Sequence, residues 1–277
     1  MPALVRTRGG LPGPIRLPRL SRGVSFPSVA ALGSEAQLAD AAAAGGVEKR
    51  RYVRRIFSEI APRYDLLNHL LSANIDRAWR RTAIRELGWE RHPHGVYLDL
   101  CAGTLDAAAQ LSRRPGFAGT VVGADFAEPM LRAGNGKAPR STVAPVAADA
   151  LQLPLADSAV RGAVVAFGIR NVSDLDAALA ETYRVLAPGA RFVILEFARP
   201  RLALVRGLYH AYFHHVLPAI GGLVSGQPTA YRYLPRSVAN FPAEPELARR
   251  MESAGFRGVR WYPLTLGIAA VHVGERP

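Results

Sequence analysis

From residue 96 onward, short apolar runs alternate with helical stretches, and this alternation constrains the chain more than any other feature of it. Val96–Leu100, Thr120–Ala124, Val143–Ala147, Arg161–Ala166 and Arg191–Phe197 read as strands. Between them lie helical segments at Ala107–Arg113, Pro129–Gly134 and Leu175–Leu186, the last with Ser173 or Asp174 as N-cap and Pro188-Gly189 as terminator. Strands that alternate with helices pair in parallel through right-handed crossovers, so the expected fold class is α/β with a doubly wound, mostly parallel sheet. A further helix, Glu244–Ala254, precedes Arg257–Tyr262 and Gly267–Val273, two strands joined by a short turn around Pro263. They bring the sheet to seven strands, with one antiparallel strand supplied by this C-terminal hairpin.

Upstream, helical character begins near Val47, where Val53, Ile56, Phe57 and Ile60 share one face while Lys49, Arg50, Arg51, Arg54 and Arg55 crowd the other. Pro62 stops it. A second helix, Asp76–Leu87, aligns Trp79, Ala83, Ile84 and Leu87 opposite Arg77, Arg81 and Arg85, with Gly88 as its C-cap. The first 46 residues differ. Arg6, Arg8, Arg16, Arg19 and Arg22 precede the first acid, Glu35, and the segment is rich in Gly, Pro, Ala and Ser without sustained apolar periodicity. It reads as a flexible extension or an organelle transit peptide; Pro12, Pro14 and Pro18 spoil the amphipathic helix of the latter, and there is no apolar signal-peptide core. The expected organisation is therefore an extension over 1–46 and one folded domain over 47–277, with a helical cover at 47–90 and a helical lid at 202–242.

The 277 residues, 49% of them apolar, suffice for a sizeable core. Thirty-five Lys and Arg against 22 Asp and Glu give a net charge of +13, which favours anionic partners without choosing among nucleic acid, lipid headgroups and phosphorylated substrates. The single cysteine, Cys101, forbids an intrachain disulfide and fits a reducing, cytoplasmic compartment. The most apolar long stretch, Leu204–Val224, is interrupted by Arg206, His210, His214, His215 and Pro218, so no membrane span is expected.

In an open α/β sheet the ligand lies beyond the carboxyl ends of the strands, so the residues after each strand are the candidate site. After the first come Asp99-Leu100-Cys101-Ala102-Gly103-Thr104: Gly103 permits close approach to the backbone, and Thr104 offers a hydroxyl and an amide. The GxGxxG fingerprint is absent, which argues against a pyrophosphate cradle. After the second strand, Asp125-Phe126 supplies a carboxylate about twenty residues beyond the glycine turn, where an acid can accept both hydroxyls of a ribose. After the third, Asp149-Ala150 supplies an acceptor for an adenine amino group. A nucleoside without a diphosphate fits that series. Singly, each element has an ordinary reading, since strand-terminal Asp residues are often helix N-caps; their joint spacing favours a site. Cys101 reads as a packed small apolar residue rather than a nucleophile.

The chain resembles the class I S-adenosylmethionine-dependent methyltransferases, Rossmann-like in fold, and within them the menaquinone and ubiquinone biosynthesis C-methyltransferases, over roughly 47–277. The resemblance is carried by FSEIAPRYDLLN (Phe57–Asn68), SANIDRAWR (Ser72–Arg80), LDLCAGTLD (Leu98–Asp106), GADFAEPML (Gly123–Leu131), ADALQLPL (Ala148–Leu155), FGIRNV (Phe167–Val172), LEF (Leu195–Phe197), YRYLPRSVANFP (Tyr231–Pro242) and LGIAAVHVG (Leu266–Gly274). The glycine turn and acid mark only the superfamily; FGIRNV, YDLLN and YLPRSV are more specific. The resemblance implies S-adenosylmethionine as methyl donor, contacted by Thr104, Asp125 and Asp149-Ala150, with Asp99, Gly103 and Phe126 in the same loops, and a polyprenylated quinol as acceptor, a naphthoquinol in preference to a benzoquinol. Two positions depart from the family pattern: Leu105 stands where a small residue is usual, and Ala166 where some members carry Ser. Leu105 is expected to narrow the space beside the methionine moiety and alter cofactor affinity.

In such a reaction a ring carbon attacks the sulfonium methyl in line, which requires the two to be held roughly 3–3.5 Å apart. Arg170, after the fourth strand, is the candidate cation for stabilising a phenolate, with Asn171 as hydrogen-bonding partner; Tyr64 and Asp65, from the amino-terminal cover, are candidates for orienting the ring or relaying its proton. The alternative for Arg170 is a plain salt bridge to a neighbouring helix. Leu204, Leu208, Tyr209, Tyr212, Phe213, Val216, Leu217 and Ile220 read either as a cover accepting the lipid tail or as ordinary core helix. His210, His214 and His215 have no carboxylate spaced for a metal site, so no metal is expected. The basic face at 49–55 offers either a docking surface for an anionic membrane at the cytoplasmic side or a solvated helix face. A homodimer is compatible with this reading. A nucleic-acid partner is not expected: the Asn/Asp-Pro-Pro-aromatic motif of amine methylation is missing, and no RNP-like aromatic stretch appears.

Overall fold

Apolar runs that are β-branched and bounded by turns become strands, and here they become one sheet. The computed structural model describes residues 46–65, 72, 74–212 and 228–277, with the side chains of Arg63, His210 and residues 228–232 excepted. The expectations for residues 1–45, for Leu66–Asn68, and for Phe213, His214, His215, Val216, Leu217 and Ile220 lie outside the described residues, as does that for the His210 side chain.

The strands are β1 (Val96–Leu100), β2 (Thr120–Asp125), β3 (Val143–Ala147), β4 (Val160–Ala166), β5 (Leu186–Phe197), β6 (Arg257–Leu264) and β7 (Ala269–Glu275). Their order is β3-β2-β1-β4-β5-β7-β6. β1 pairs in parallel with β2 on one side and β4 on the other, so the strand order reverses direction at β1 and opens a crevice beyond its carboxyl end. β7 runs antiparallel between β5 and β6, the single reversal foreseen from the sequence.

Period-two alternation divides the core between the two faces of the sheet. Leu98, Leu100 and Val165 pack on one side with Phe192, Leu247 and Phe256. Tyr97, Val121 and Val164 pack on the other with Trp79, Ile84 and Leu87. The helices are α1 (Gly46–Ile60), α2 (Ile75–Glu86), α3 (Asp106–Ser112), α4 (Glu128–Ala133), α5 (Leu175–Val185), α6 (Ala203–Ala211), α7 (Pro228–Ala239) and α8 (Glu244–Ser253). Asp174 caps α5, its carboxylate accepting the Ala177 N–H at 3.0 Å. Gly88, with φ +64°, follows α2 in the left-handed conformation that favours glycine. Above the crevice α1 buries Tyr52, Val53, Ile56 and Ile60 against Tyr233 of α7, with the rings of Tyr52 and Tyr233 5.7 Å apart.

Three boundaries differ from the sequence reading. Pro188-Gly189 does not terminate α5: the chain turns extended at Leu186, which pairs with Val160, and Gly189 (φ +75°) bends the strand inside β5. Pro263 is not in the final turn but in β6, opposite Ala270, where the missing N–H is tolerated because β6 lies at the sheet edge. The turn is Thr265–Gly267, with Thr265 and Leu266 both at positive φ. The other edge strand, β3, likewise contains a proline, Pro145. On α6, Leu204 and Leu208 are not core: they are 77% and 65% exposed.

His272, on β7, is almost wholly buried, and its Nε2–H donates to the Glu244 carbonyl at 3.1 Å. Burial holds the imidazole down to about 4, so the folded protein keeps it neutral where the unfolded chain would protonate it. Its contribution is present above pH 6.5 and is lost as pH falls toward 4, a loss of about 3 kcal/mol at 1.36 kcal/mol per unit. The stability margin of the native chain over His272→Gln should therefore shrink by that amount between neutral pH and pH about 4 in urea titrations; a margin independent of pH contradicts this account.

Candidate active site

The crevice is built from the strand tips. Alternation along β1 turns Asp99 away from Leu98 and Leu100, toward the first turn of α3, where its Oδ2 accepts the Ala108 N–H at 2.8 Å. Burial drives the Asp99 carboxyl up to about 7, a rise tempered by that hydrogen bond and by the charge of Arg80. At the tip of β2, Asp125 accepts the Gly103 N–H and the Ala127 N–H, each at 2.8 Å. This one carboxylate thus ties the glycine turn to the start of α4, and burial raises its pKa as well. Each oxygen still has acceptor capacity left. Gly103 sits at φ +53°, and Gly168, at the tip of β4, lies so near β1 that a Cβ there would come within 2.4 Å of the Cys101 Cβ.

These tips enclose one cavity that opens to solvent. Asp99, Gly103, Thr104, Asp125, Phe126, Asp149 and Ala150 all line it, joined by Tyr64 from the cover and Asn171 from the turn after β4. The three loop tips singled out in the sequence therefore converge on one space. Asn171 is buried, and its Oδ1 has no hydrogen-bond partner. An unanswered buried acceptor at a cavity wall fits a ligand that brings a donor.

Several sequence expectations need correction. Arg170 does not line this cavity. Its Nη1 pairs with Glu196 of β5 at 2.9 Å and donates to the Phe167 carbonyl, its Nε donates to Ser237 Oγ at 3.4 Å, and its guanidinium lies 5.5 Å from the centre of the Phe197 ring. It is a buried structural cation, paired with a strand rather than a helix. Asp65 is also absent from the cavity lining: it accepts from the Thr104 hydroxyl and pairs with Lys137 at 2.6 Å. Thr104 in turn accepts from Lys137 at 3.0 Å, so its hydroxyl is engaged by protein groups. Asp149 has its Oδ2 2.9 Å from Arg50 and its Oδ1 accepting the Leu151 N–H at 3.1 Å.

Leu105 does not narrow the cavity either. At φ +65° it turns into the core, where the absent side chains of Gly123 and Gly134 make room for it: Cβ atoms there would stand 2.4 Å and 3.1 Å from its methyls. The basic face of α1 is partly spent within the molecule, for Lys49 Nζ donates to the Arg170 carbonyl at 3.1 Å and Arg50 meets Asp149. Cys101 is packed as expected, and burial pushes its thiol well up, away from the thiolate.

Two site residues escaped the sequence reading. Lys137 joins Asp65, Thr104 and Asp106 (2.6 Å to the last), although it stands in a loop with no motif around it. Arg80 was assigned no role, but it is buried, pairs with Asp76, lies 5.5 Å from the centre of the Phe167 ring and lines the cavity. The i, i+4 spacing of Asp76 and Arg80 beside Trp79 was the available signal. Among the described residues no group of three or more His, Cys, Asp or Glu side chains is placed to hold a metal ion.

Residues 46–276 match the model of the ubiE/COQ5 methyltransferase family. The chain is 52% identical over 225 residues to a Thermus thermophilus protein named demethylmenaquinone methyltransferase, covering 80% of this chain and 100% of that one. It is 43% identical over 233 residues, 83% of this chain and 98% of the other, to the ubiquinone/menaquinone biosynthesis C-methyltransferase UbiE of Geotalea daltonii. Among solved structures, a SAM-dependent methyltransferase of Thermotoga maritima superposes with a TM-score of 0.59 at 19% identity, covering 81% of this chain and 100% of that one, a likeness of fold.

The Arg170–Glu196 pair is testable by its energetics. Removing one partner of a buried ion pair strands the other charge, so Arg170→Met should cost about 3–5 kcal/mol in chemical denaturation. Arg170→Met combined with Glu196→Gln should recover more than half of that loss. A single variant as stable as the native chain contradicts the structural role.

Proposed function

The chain belongs to the ubiE/COQ5 methyltransferase family, and from that premise we propose that it methylates a ring carbon of demethylmenaquinol to give menaquinol. It is an S-adenosylmethionine-dependent C-methyltransferase. The observation that carries the finer reading is the convergence of Gly103, Asp125 and Asp149 on one cavity whose wall also presents the unanswered Oδ1 of Asn171. The naphthoquinol acceptor is supported by the relatives from Thermus thermophilus and Deinococcus radiodurans, 52% and 44% identical, both named demethylmenaquinone methyltransferase.

The residues present fit the donor. Asp125 has acceptor capacity left for a ribose diol, and Gly103 removes the Cβ that would obstruct close approach. Asp149 and Ala150 stand at the adenine position of the series; the Arg50 partner of Asp149 is largely exposed, so the pair yields at little cost. Asp99 and Arg80 line the same space. S-adenosylmethionine, when bound, would supply an electrophilic methyl group as its S–CH3 bond breaks and leave as S-adenosylhomocysteine, and the methylated ring carbon releases the proton it carried. The chain's part is to hold the ring in line with it and to exclude water. Asn171 Oδ1 accepts a hydrogen bond from the ring hydroxyl, which raises electron density at the attacking carbon. Tyr64 and Phe57, edge to face at 5.9 Å, orient the ring from the cover. Arg170, through its hold on Phe167 and Glu196, positions the turn that carries Asn171.

A polyprenylated acceptor resides in a bilayer, and the surface best suited to meet one is α6 rather than α1. Leu204 and Leu208 are joined there by exposed Leu202 and Leu266 and by Arg199, Arg201 and Arg206. No Asp or Glu occurs anywhere from Phe197 to Ala243. Apolar side chains ringed by cations suit an anionic lipid interface.

Two experiments bear on these assignments. Asp125→Asn should weaken S-adenosylhomocysteine binding about tenfold in calorimetry, whereas Asn171→Leu should leave that binding nearly unchanged and lower methyl transfer to a demethylated naphthoquinol about a hundredfold. Equal turnover in Asn171→Leu, or preference for a benzoquinol acceptor, overturns the reading. For the lipid contact, Leu204→Ser with Leu208→Ser should reduce cosedimentation with phosphatidylglycerol vesicles about tenfold or more; unchanged cosedimentation removes α6 from that role.

A further inference from the structure

A second cavity, of about 710 Å³, adjoins the first and shares Val172 and Ser173 with it. One wall comes from the YLPRSVANFP segment, whose function the methyl-transfer site does not absorb. Tyr233, Arg236, Ser237 and Asn240 fall at i, i+3, i+4 and i+7, so α7 and the residue after it present them along one stripe. Lys49 of α1 faces the same space.

Charge accounting there is one-sided. Among the described residues the cavity lining includes Lys49, Arg170, Arg236 and Arg250 and no Asp or Glu. Arg170 is neutralised by Glu196, and Arg250 by Glu246 at 3.1 Å and Asp176 at 3.2 Å, all three carboxylates lying outside the lining. Lys49 has no such balance. Its ammonium donates to the Arg170 carbonyl, which uses one of three N–H groups, and burial together with the Arg170 charge pushes its pKa down. Tyr233 lines the same cavity, and its hydroxyl has no hydrogen-bond partner although the residue is only 8% exposed. Burial pushes that phenol up to about 12, so it remains a donor at neutral pH. A lysine without a carboxylate partner and an unanswered phenol lining one recess, with no carboxylate among its described lining residues, match an oxyanion.

We propose that this second cavity binds a phosphate group, with Lys49, Tyr233 and Asn240 as its donors. The assignment is independent of the methyl acceptor.

The test is calorimetric titration of the full chain with inorganic phosphate at low ionic strength. Saturable binding is expected, weakened about tenfold by Lys49→Gln and by a smaller factor in Tyr233→Phe, which removes only the hydroxyl. Arg50→Gln, on the same helix but lining the other cavity, should bind as the native chain does. A second arm uses phosphatidylcholine vesicles with and without phosphatidylglycerol. A response to Lys49→Gln with vesicles alone assigns the phosphate to a lipid headgroup; a response with inorganic phosphate assigns it to a soluble ligand. No dependence on Lys49 in either arm, or an equal loss in Arg50→Gln, overturns the proposal.

Discussion

The structure depends on two buried carboxylates at adjacent strand ends that serve the backbone before they serve any ligand. Asp99 takes the Ala108 N–H at the first turn of α3, and Asp125 takes those of Gly103 and Ala127. A loop that must come close to a ligand cannot be held by bulky packing, so it is held by charge-assisted hydrogen bonds from behind. Burial makes both carboxylates harder to ionise, and the amide donors offset part of that cost. The arrangement is a rigid glycine turn with acceptor capacity left over, which is what a nucleoside site needs.

The remainder of the site is braced in a similar manner. Phe167 and Phe197 pack with ring centres 4.7 Å apart, with Arg80 near the first and Arg170 near the second, and each arginine is answered by a buried carboxylate. Replacing such pairs with apolar residues is often neutral for stability, so their value here lies in fixing a turn in one position. That turn carries Asn171. The cover is pinned separately, through the Asp65–Lys137–Asp106 bridge and the hydroxyl of Thr104.

Much of this was legible in the sequence, for identifiable reasons. All seven strands were readable because apolar runs alternate with capped helices, and the pairing of β7 between β5 and β6 follows from a short hairpin at the chain end. The three loop tips were readable because ligands of open α/β sheets collect at strand ends. What escaped was pairing across distance. Nothing near Arg170 announces that Glu196 will meet it, since the partner arrives only when β4 and β5 align. Lys137 stands in an unremarkable loop, and Asp65 was a candidate because it stands beside Tyr64 in the amino-terminal cover, whereas only Tyr64 lines the cavity. Leu105 misled for a different reason: the space that receives it is made by two glycines, one of them on the next strand.

The prolines in the two outermost strands carry a consequence for self-association. Pro145 in β3 and Pro263 in β6 each lack the amide proton that a continuous ladder would require at that position. Both flanks of the sheet are thus poor templates for an incoming chain, which limits runaway growth by edge-to-edge addition. The seven-stranded sheet is in this way guarded at both margins by a residue that cannot donate.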